Sequence, residues 1–301
     1  MQTIILKTRF STPYLFILPA LVIYALFVLV PIAGSVRMSL FEWGGSPLPR
    51  FVAFKNYALL LKDTIFWRAL MNNALVLVGS LVIQLPFSAL LALLLSYKTF
   101  FRTLFRTAFF APMVMPTVAI AILWQYIYAP EDGLVTKLIQ LVTGSDFTFP
   151  WLATPSTSPF LPSVSLLCIF VTICWQYTGF HMVLYMAGIA AIPDELYEAA
   201  RIDGANELQI CRHIVLPALK PTIAVSATLS VIGSLKYFDL IYLMAAGLPQ
   251  NDREVMATYI YRLAFDQGQG RFGYGSAAAI LLIIIALAVV LPIQTARLRR
   301  A

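Results

Sequence analysis

Charge is laid out along this chain in a way that permits few folds. No Asp, Glu, Lys or Arg occurs between Arg9 and Arg37, Arg68 and Lys98, Arg106 and Glu131, Asp146 and Asp194, or Arg271 and Arg297. Each interval can hold a helix of roughly 20 mostly apolar residues, the length that crosses the hydrocarbon of a bilayer. The chain is 60% hydrophobic and 12% charged, against about 25% charged in an ordinary soluble domain. A backbone in lipid must satisfy its own hydrogen bonds, so the expected fold is an all-α membrane protein.

The interval from Asp146 to Asp194 has room for two spans, but Pro150, Pro155, Pro159 and Pro162 make its first part a loop. A further span, from about Pro221 to Ala245, is interrupted by Lys236 and Asp239. Six transmembrane helices follow, near residues 14–38, 70–95, 107–128, 163–190, 221–245 and 275–296. Both termini then share one side. The domain reading is 1–69 for an N-terminal tail, the first span and an extracellular segment, and 70–301 for a core of five helices. With Lys7 and Arg9 ahead of it, the first span could be read as a signal peptide, but its apolar stretch far exceeds the roughly 7–15 residues of a signal core.

With cytoplasmic termini, eleven Lys/Arg face inward and nine outward. This leans the way the positive-inside rule requires without deciding the orientation. The net charge of +7 suits basic residues beside an anionic leaflet and needs no nucleic acid. Cys168, Cys174 and Cys211 form no disulfide framework or metal-ligand spacing, and His181 and His213 lie far apart, so no metal site is expected. The sequence contains no Gly-x-x-x-x-Gly-Lys-Ser/Thr, which excludes a P-loop ATP site. Gly268-Gln269-Gly270-Arg271-Phe272-Gly273 mimics a dinucleotide fingerprint, but it follows no strand and precedes a span.

Between the fourth and fifth spans lies a polar segment of a different kind. Ile192-Pro193-Asp194-Glu195 reads as a helix start, with acidic residues where the helix dipole favours them. Gly204 ends that helix, and Asn206 with Gln209 approximates a capping box for a second one running toward Leu216. Pro217 and Pro221 mark the return to the membrane. Ala199 and Ala200 would let a partner's backbone come close, while Glu198 and Asp203 can accept hydrogen bonds across an interface. The plainer alternative is an amphipathic helix resting on the membrane surface.

The full spacing from Glu198 to Pro217 is Glu-Ala-Ala, three residues, Gly, nine residues, Ile-x-Leu-Pro. It resembles the EAA loop of permease subunits in binding-protein-dependent ABC importers. Arg106-Thr107-Ala108-Phe109-Phe110-Ala111-Pro112 with Ile122-Leu123-Trp124 is similar to the third span of carbohydrate-type permeases. Ile192-Pro193-Asp194-Glu195-Leu196-Tyr197, Ser234-Leu235-Lys236-Tyr237-Phe238-Asp239 and Gly273-Tyr274-Gly275-Ser276-Ala277 extend the likeness over nearly the whole chain. The nearest type includes the maltose and glycerol-3-phosphate permeases, without the large extracellular insertion of the maltose one. One departure is Ala245-Ala246-Gly247-Leu248-Pro249, where the family usually has Thr-x-Gly-Gly-Pro.

The resemblance implies a type I importer permease in a bacterial or archaeal inner membrane, with both termini cytoplasmic and coupling loop 192–217 meeting an ATPase. It implies a second, related permease, a dimeric cytoplasmic ATPase that binds ATP and Mg, and an extracytoplasmic solute-binding protein. No catalytic residue and no cofactor are expected in this chain itself.

Ser230, Ser234 and Tyr237 fall at i, i+4 and i+7 on one face of the fifth helix. They match fifth-span positions that line the sugar site in maltose-type permeases, with Gly233 leaving room beside them. Hydroxyls and an aromatic face suit a sugar, although small residues can simply permit close helix packing in lipid. Gln176 and Tyr177, near Trp175, Gly179 and Tyr185 in the fourth span, are further candidates. His181 is expected to be a packed, hydrogen-bonded histidine. Lys236 and Asp239, three apart, are expected to pair within one helix near the extracellular gate, since buried charges in a membrane are expensive alone; contact with substrate is the lesser alternative. Two rivals from other classes are an ion-coupled secondary transporter and a non-transporting receptor or scaffold. The first is weakened by the lack of an inverted repeat and by Asp239 being the one midplane acid.

Overall fold

The computed structural model describes residues 11–45, 48–96, 101–154, 162–245, 253–265 and 270–298. Lys7, Arg9, Lys98, Pro155, Pro159, Arg299, Arg300, the stretch 246–250 and Gly268-Gln269 therefore lie outside the described residues. The chain divides into two units, one taking residues up to Lys62 with Ile260–Leu282, the other Asp63–Tyr259 with residues from Ile283 onward.

In the first unit the opening span is a helix over residues 11–39. Its flanks carry Leu18, Ile23 and Phe27 more than half exposed, as suits a surface that lipid covers. A two-stranded ladder follows, pairing Phe41 with Phe51 and Glu42 with Arg50, a local exception to the all-α expectation. Asn56, buried in the short helix Lys55–Leu60, donates to the carbonyls of Ser39 at 2.8 Å and Phe41 at 2.9 Å. The sixth span, Phe272–Leu298, starts beside this ladder at Gly273, where any Cβ would strike the Phe41 carbonyl.

The second unit holds the rest of the bundle. Its first helix, Thr64–Ser96, begins ahead of the expected residue 70 because Asp63 caps it. One Asp63 oxygen accepts from the amides of Ile65 (2.8 Å) and Phe66 (3.4 Å), satisfying donors that a helix start leaves open. Within this helix, Ser80–Gln84 widens into a π turn, a local feature often found at functional sites. The fourth span, Val164–Ala190, starts where the Ser163 hydroxyl accepts from the Leu166 amide at 3.1 Å. Ala92 and Leu95 of the second span pack on its Met182, Tyr185 and Met186.

Two expected spans are not single helices. The third is broken into Arg102–Val114 and Thr117–Ile127, bent by 103°. Pro116 forces Met115 into extended backbone, φ −72° and ψ 144°, because the residue before a proline is barred from helix by its ring. The piece before the break presses on the fourth span so tightly that a Cβ on Gly179 would collide with the Phe109 carbonyl. The fifth span stops at Lys236 and restarts at Asp239, giving Lys220–Lys236 and Asp239–Met244. Tyr237 (φ −57°, ψ 116°) and Phe238 (φ −129°, ψ −63°) leave the helical region between them. Among the described residues four helices are long and apolar enough to cross a membrane; the bent pairs Arg102–Val114 with Thr117–Ile127, and Glu207–Ala218 with Lys220–Lys236 (63°), bring the number to six if each counts as one span.

The loop between the third and fourth spans carries one short helix, Leu134–Thr143, and the described part of 144–162 is non-helical, as its prolines require. Trp151 donates to Thr136 Oγ1 at 3.0 Å and folds this loop back on itself.

Candidate functional site

The break in the fifth span opens onto a cavity of about 270 Å³ between it, the second and third spans and the fourth. Unwound backbone at membrane depth survives where it lines a cavity or is buried in protein. Of the residues singled out in the sequence, Ser230, Gly233, Tyr237, Gln176 and Tyr177 line the space. A Cβ on Gly233 would meet nothing within 4 Å, so the glycine keeps that wall open. The Tyr177 and Tyr237 rings meet edge to face, with centroids 5.8 Å apart.

Ser234 stands elsewhere. It is 1% exposed and is absent from the cavity lining; its carbonyl accepts from Asn73 Nδ2 at 2.7 Å. Ser230 and Ser234 both lie within the intact helix Lys220–Lys236, so the break moves only Tyr237 off the helical face; Ser230, Gly233 and the unwound Tyr237 line the open space while Ser234 is buried. Lys236 and Asp239 also depart from expectation. Both are exposed toward the cavity, and among the described residues neither forms an ion pair. The helix ends between them, so the geometry of an i, i+3 pair is never made.

Sequence reasoning missed Gln84, Thr117 and Phe180, which also line the cavity. Gln84 Nε2 and Gln176 Oε1 are buried and have no hydrogen-bond partner among the described residues. Such groups are costly to leave unpaired, and these two belong to side chains that border the open space. The signal for Gln84 was present: a lone amide within an otherwise apolar span. His181 is packed as expected, its Nδ1 2.7 Å from Ser226 Oγ, and one side of it reaches the cavity.

At the opposite end of the fourth span lies the polar loop. Its first helix is Asp194–Ile202, with Asp194 and Glu195 in the opening turn. Gly204 adopts φ +79°; its amide bonds the Arg201 carbonyl (3.1 Å) and the Ala205 amide bonds the Ala200 carbonyl (2.9 Å). This is the Schellman arrangement, which needs a left-handed residue after the helix. The second helix, Glu207–Ala218, opens on the expected capping box, with Asn206 Oδ1 accepting from the Gln209 amide (2.9 Å) and Gln209 Oε1 from the Asn206 amide (2.8 Å). Arg201 Nη2 lies 3.3 Å from Glu207 Oε1 and links the two helices across the turn.

Glu198, Ala199, Asp203 and Gly204 are exposed, while Ala200 is half-buried. Ala200 packs inward on Ile192, Ile210, Val215 and Leu219, together with Leu93 of the second span. This apolar seam roots the loop in the bundle. Burial of Tyr197 in the same region pushes its phenol above the ordinary value, with Asp194 and Cys211 adding to the effect. Leu196, Ile202 and Leu208 project outward, the last two 86% and 78% exposed. Each is a large apolar side chain left exposed on the loop, and sequence reasoning assigned Ile202 and Leu208 no role.

A helical membrane bundle, a polar cavity at a broken helix and a capped two-helix loop between the fourth and fifth spans define a transporter permease subunit. The chain belongs to the family described as binding-protein-dependent transport system inner membrane component, which matches residues 84–301. It is 39% identical over 282 residues to the probable ABC transporter permease protein YurN of Bacillus subtilis, covering 93% of each chain. It is 32% identical over 295 residues to the alpha-glucoside transport system permease protein AglF of Rhizobium meliloti, covering 96% of this chain and 82% of that one. Among solved structures it is similar to a chain of a bacterial ABC transporter involved in the import of the acidic polysaccharide alginate, with TM-score 0.81, 26% identity and 95% of each chain covered. It is likewise similar to a chain of a bacterial alginate ABC transporter in complex with an alginate pentasaccharide-bound periplasmic protein, with TM-score 0.80, 25% identity and coverage of 93% of this chain and 92% of that one.

Proposed function

We propose that this permease carries a saccharide or saccharide-like solute inward through the cavity at the break in the fifth span. The observation that carries the reading is the lining itself, in which the amide side chains of Gln84 and Gln176 and the Ser230 hydroxyl share one cavity with the Tyr177–Tyr237 ring pair. One amide offers a donor and the other an acceptor, as a sugar hydroxyl requires, and the rings give its C–H face a surface. At about 270 Å³ the space is near the lower end of the roughly 300–1,000 Å³ of small-molecule sites. It suits one sugar ring at a time. Relatives named for alpha-glucosides, lactose and starch degradation products support the solute class.

In this reading the chain pairs with a second permease in a cell membrane, both termini cytoplasmic. A separate ATPase dimer, holding ATP and Mg, docks on the loop 192–217, with Glu198, Ala199, Asp203 and Gly204 at the contact and Leu196, Ile202 and Leu208 covered by it. A solute-binding protein delivers the saccharide on the other face. ATP binding moves the loop helices as levers, because the Schellman turn and capping box make them one stiff unit seated on Ile192, Ile210 and Leu93. The motion turns the cavity outward, and hydrolysis returns it inward.

The test is ATP-dependent uptake by the co-purified complex in proteoliposomes, using labelled maltose, maltotriose, lactose, glucose and glycerol 3-phosphate. Uptake of at least one saccharide that stops without ATP is expected. Uptake insensitive to ATP but collapsed by an ionophore would sink the reading.

A further inference from the structure

One side chain behind the cavity wall holds two helix ends at once. Asn73, in the second span and 1% exposed, donates through Nδ2 to the Ser234 carbonyl at 2.7 Å. Its Oδ1 accepts from the Met256 amide at 2.6 Å. Ser234 lies in the last turn before the fifth span unwinds, where the helix's own ladder no longer supplies donors. Met256 is the first residue of the helix Met256–Phe265, where amides have no acceptor within their own helix. A single amide therefore caps the end of one helix and the start of another.

These two ends belong to different machinery. Ser230, Gly233 and Tyr237, on the same helix as Ser234 and just past it, form the cavity wall. Residues 253–256 belong to the connection between the fifth and sixth spans, on the membrane face opposite the coupling loop. The adjacent Asn72 reinforces the tie, donating to the Glu254 carbonyl at 2.8 Å. Arg253, 3% exposed, donates to Ser165 Oγ at 3.0 Å and fixes the same stretch to the start of the fourth span. A hydrogen bond from a buried amide is short-ranged and directional, so displacing 253–256 strains this link: it breaks the Met256–Asn73 bond, pulls Asn73 off Ser234, or carries the helix end with it.

We propose that Asn73 is a positioning residue that ties the cavity wall to the segment 253–256, so that a binding protein seating on that face resets the break in the fifth span. The proposal rests on the reading that this cavity is the solute's path. Its content is the transmission: a change at 253–256 reaches residues 230–244 through the Asn73 amide.

The complete transporter, reconstituted in nanodiscs with its companion permease, ATPase and binding protein, allows a direct test by hydrogen–deuterium exchange. In the wild-type complex, addition of the binding protein is expected to change exchange at least threefold both in 253–259 and in 230–244. In Asn73→Leu, the response at 253–259 should persist while that at 230–244 is lost. If the wild-type complex responds at 253–259 alone, or at neither segment, the proposal is overturned, and this arm does not depend on the variant folding. An Asn73→Leu complex that keeps both responses overturns it too, as does a uniform rise in exchange that includes the coupling loop, the mark of lost packing alone. Uptake of the saccharides named above by Tyr177→Ala checks the cavity reading separately: unchanged uptake would remove that reading and leave the exchange result standing.

Discussion

The Ala205 amide reaches back to the Ala200 carbonyl at 2.9 Å, and it can do so because Gly204 between them sits at φ +79°. A Cβ there would touch nothing within 4 Å, so any effect of substitution is a backbone effect. Placing an L-residue in the left-handed region costs about 1–2 kcal/mol, with asparagine tolerated better than most. Gly204→Asn should keep most ATP-driven uptake, Gly204→Ala should lose part of it, and Gly204→Val should lose the most. Membrane insertion should be equal in all three. Co-purification of the ATPase and proteoliposome uptake check the order, and full uptake by Gly204→Val would contradict it.

Gln84 is a case in which stability and transport should move in opposite directions. Its Nε2 is buried without a partner among the described residues, and it borders the cavity. Gln84→Leu removes an unpaired donor, so the complex in detergent should melt at an equal or higher temperature. If the solute occupies the cavity as proposed, the same change deletes a hydrogen bond to it worth about 0.5–1.5 kcal/mol. The expected KM for saccharide uptake then rises roughly two- to tenfold. A lower melting temperature with unaltered KM would place Gln84 in the packing alone.

Ser230 and Ser234, one turn apart, should separate cleanly. Ser230 faces the cavity, and Ser234 is turned behind the wall with its Oγ unpartnered among the described residues. Ser230→Ala is expected to raise KM severalfold. Ser234→Ala leaves the backbone carbonyl that Asn73 holds, so uptake should change less than twofold. Saturation curves for both variants decide it, and the reverse pattern would place Ser234 rather than Ser230 beside the solute.

The contrast between those serines marks where the sequence stopped being informative. The capping box at Asn206 and Gln209, the left-handed Gly204 and the loop prolines act within a few residues, so the chain declares them locally. The charge-free intervals likewise announce the spans, because lipid imposes one rule on every backbone group. The break at Tyr237 is different. Just before it, the Ser234 carbonyl accepts from Asn73, 161 positions away, and the ring of Tyr177 meets Tyr237 from another span. Nothing in Ser234-Leu235-Lys236-Tyr237-Phe238-Asp239 forbids a continuous helix; tertiary partners decide. Pro116 did carry a local signal, but a proline within an apolar span can kink it slightly or bend it by 103°, and the sequence does not say which.

The same break sets the expectation for Lys236 and Asp239. In a continuous helix they would neutralise each other, single substitutions would strand a charge, and the double substitution would recover much of the loss. Here both side chains line the cavity and neither forms an ion pair among the described residues, so each should act through solute and water independently. Lys236→Met and Asp239→Asn are therefore expected to alter KM by separate factors, and the double variant should show their product within about twofold, as uncoupled sites do. Uptake kinetics for the three variants and the wild type form the cycle. Recovery in the double variant to within twofold of wild type, from singles each reduced tenfold or more, would mean that the two charges pair during transport after all.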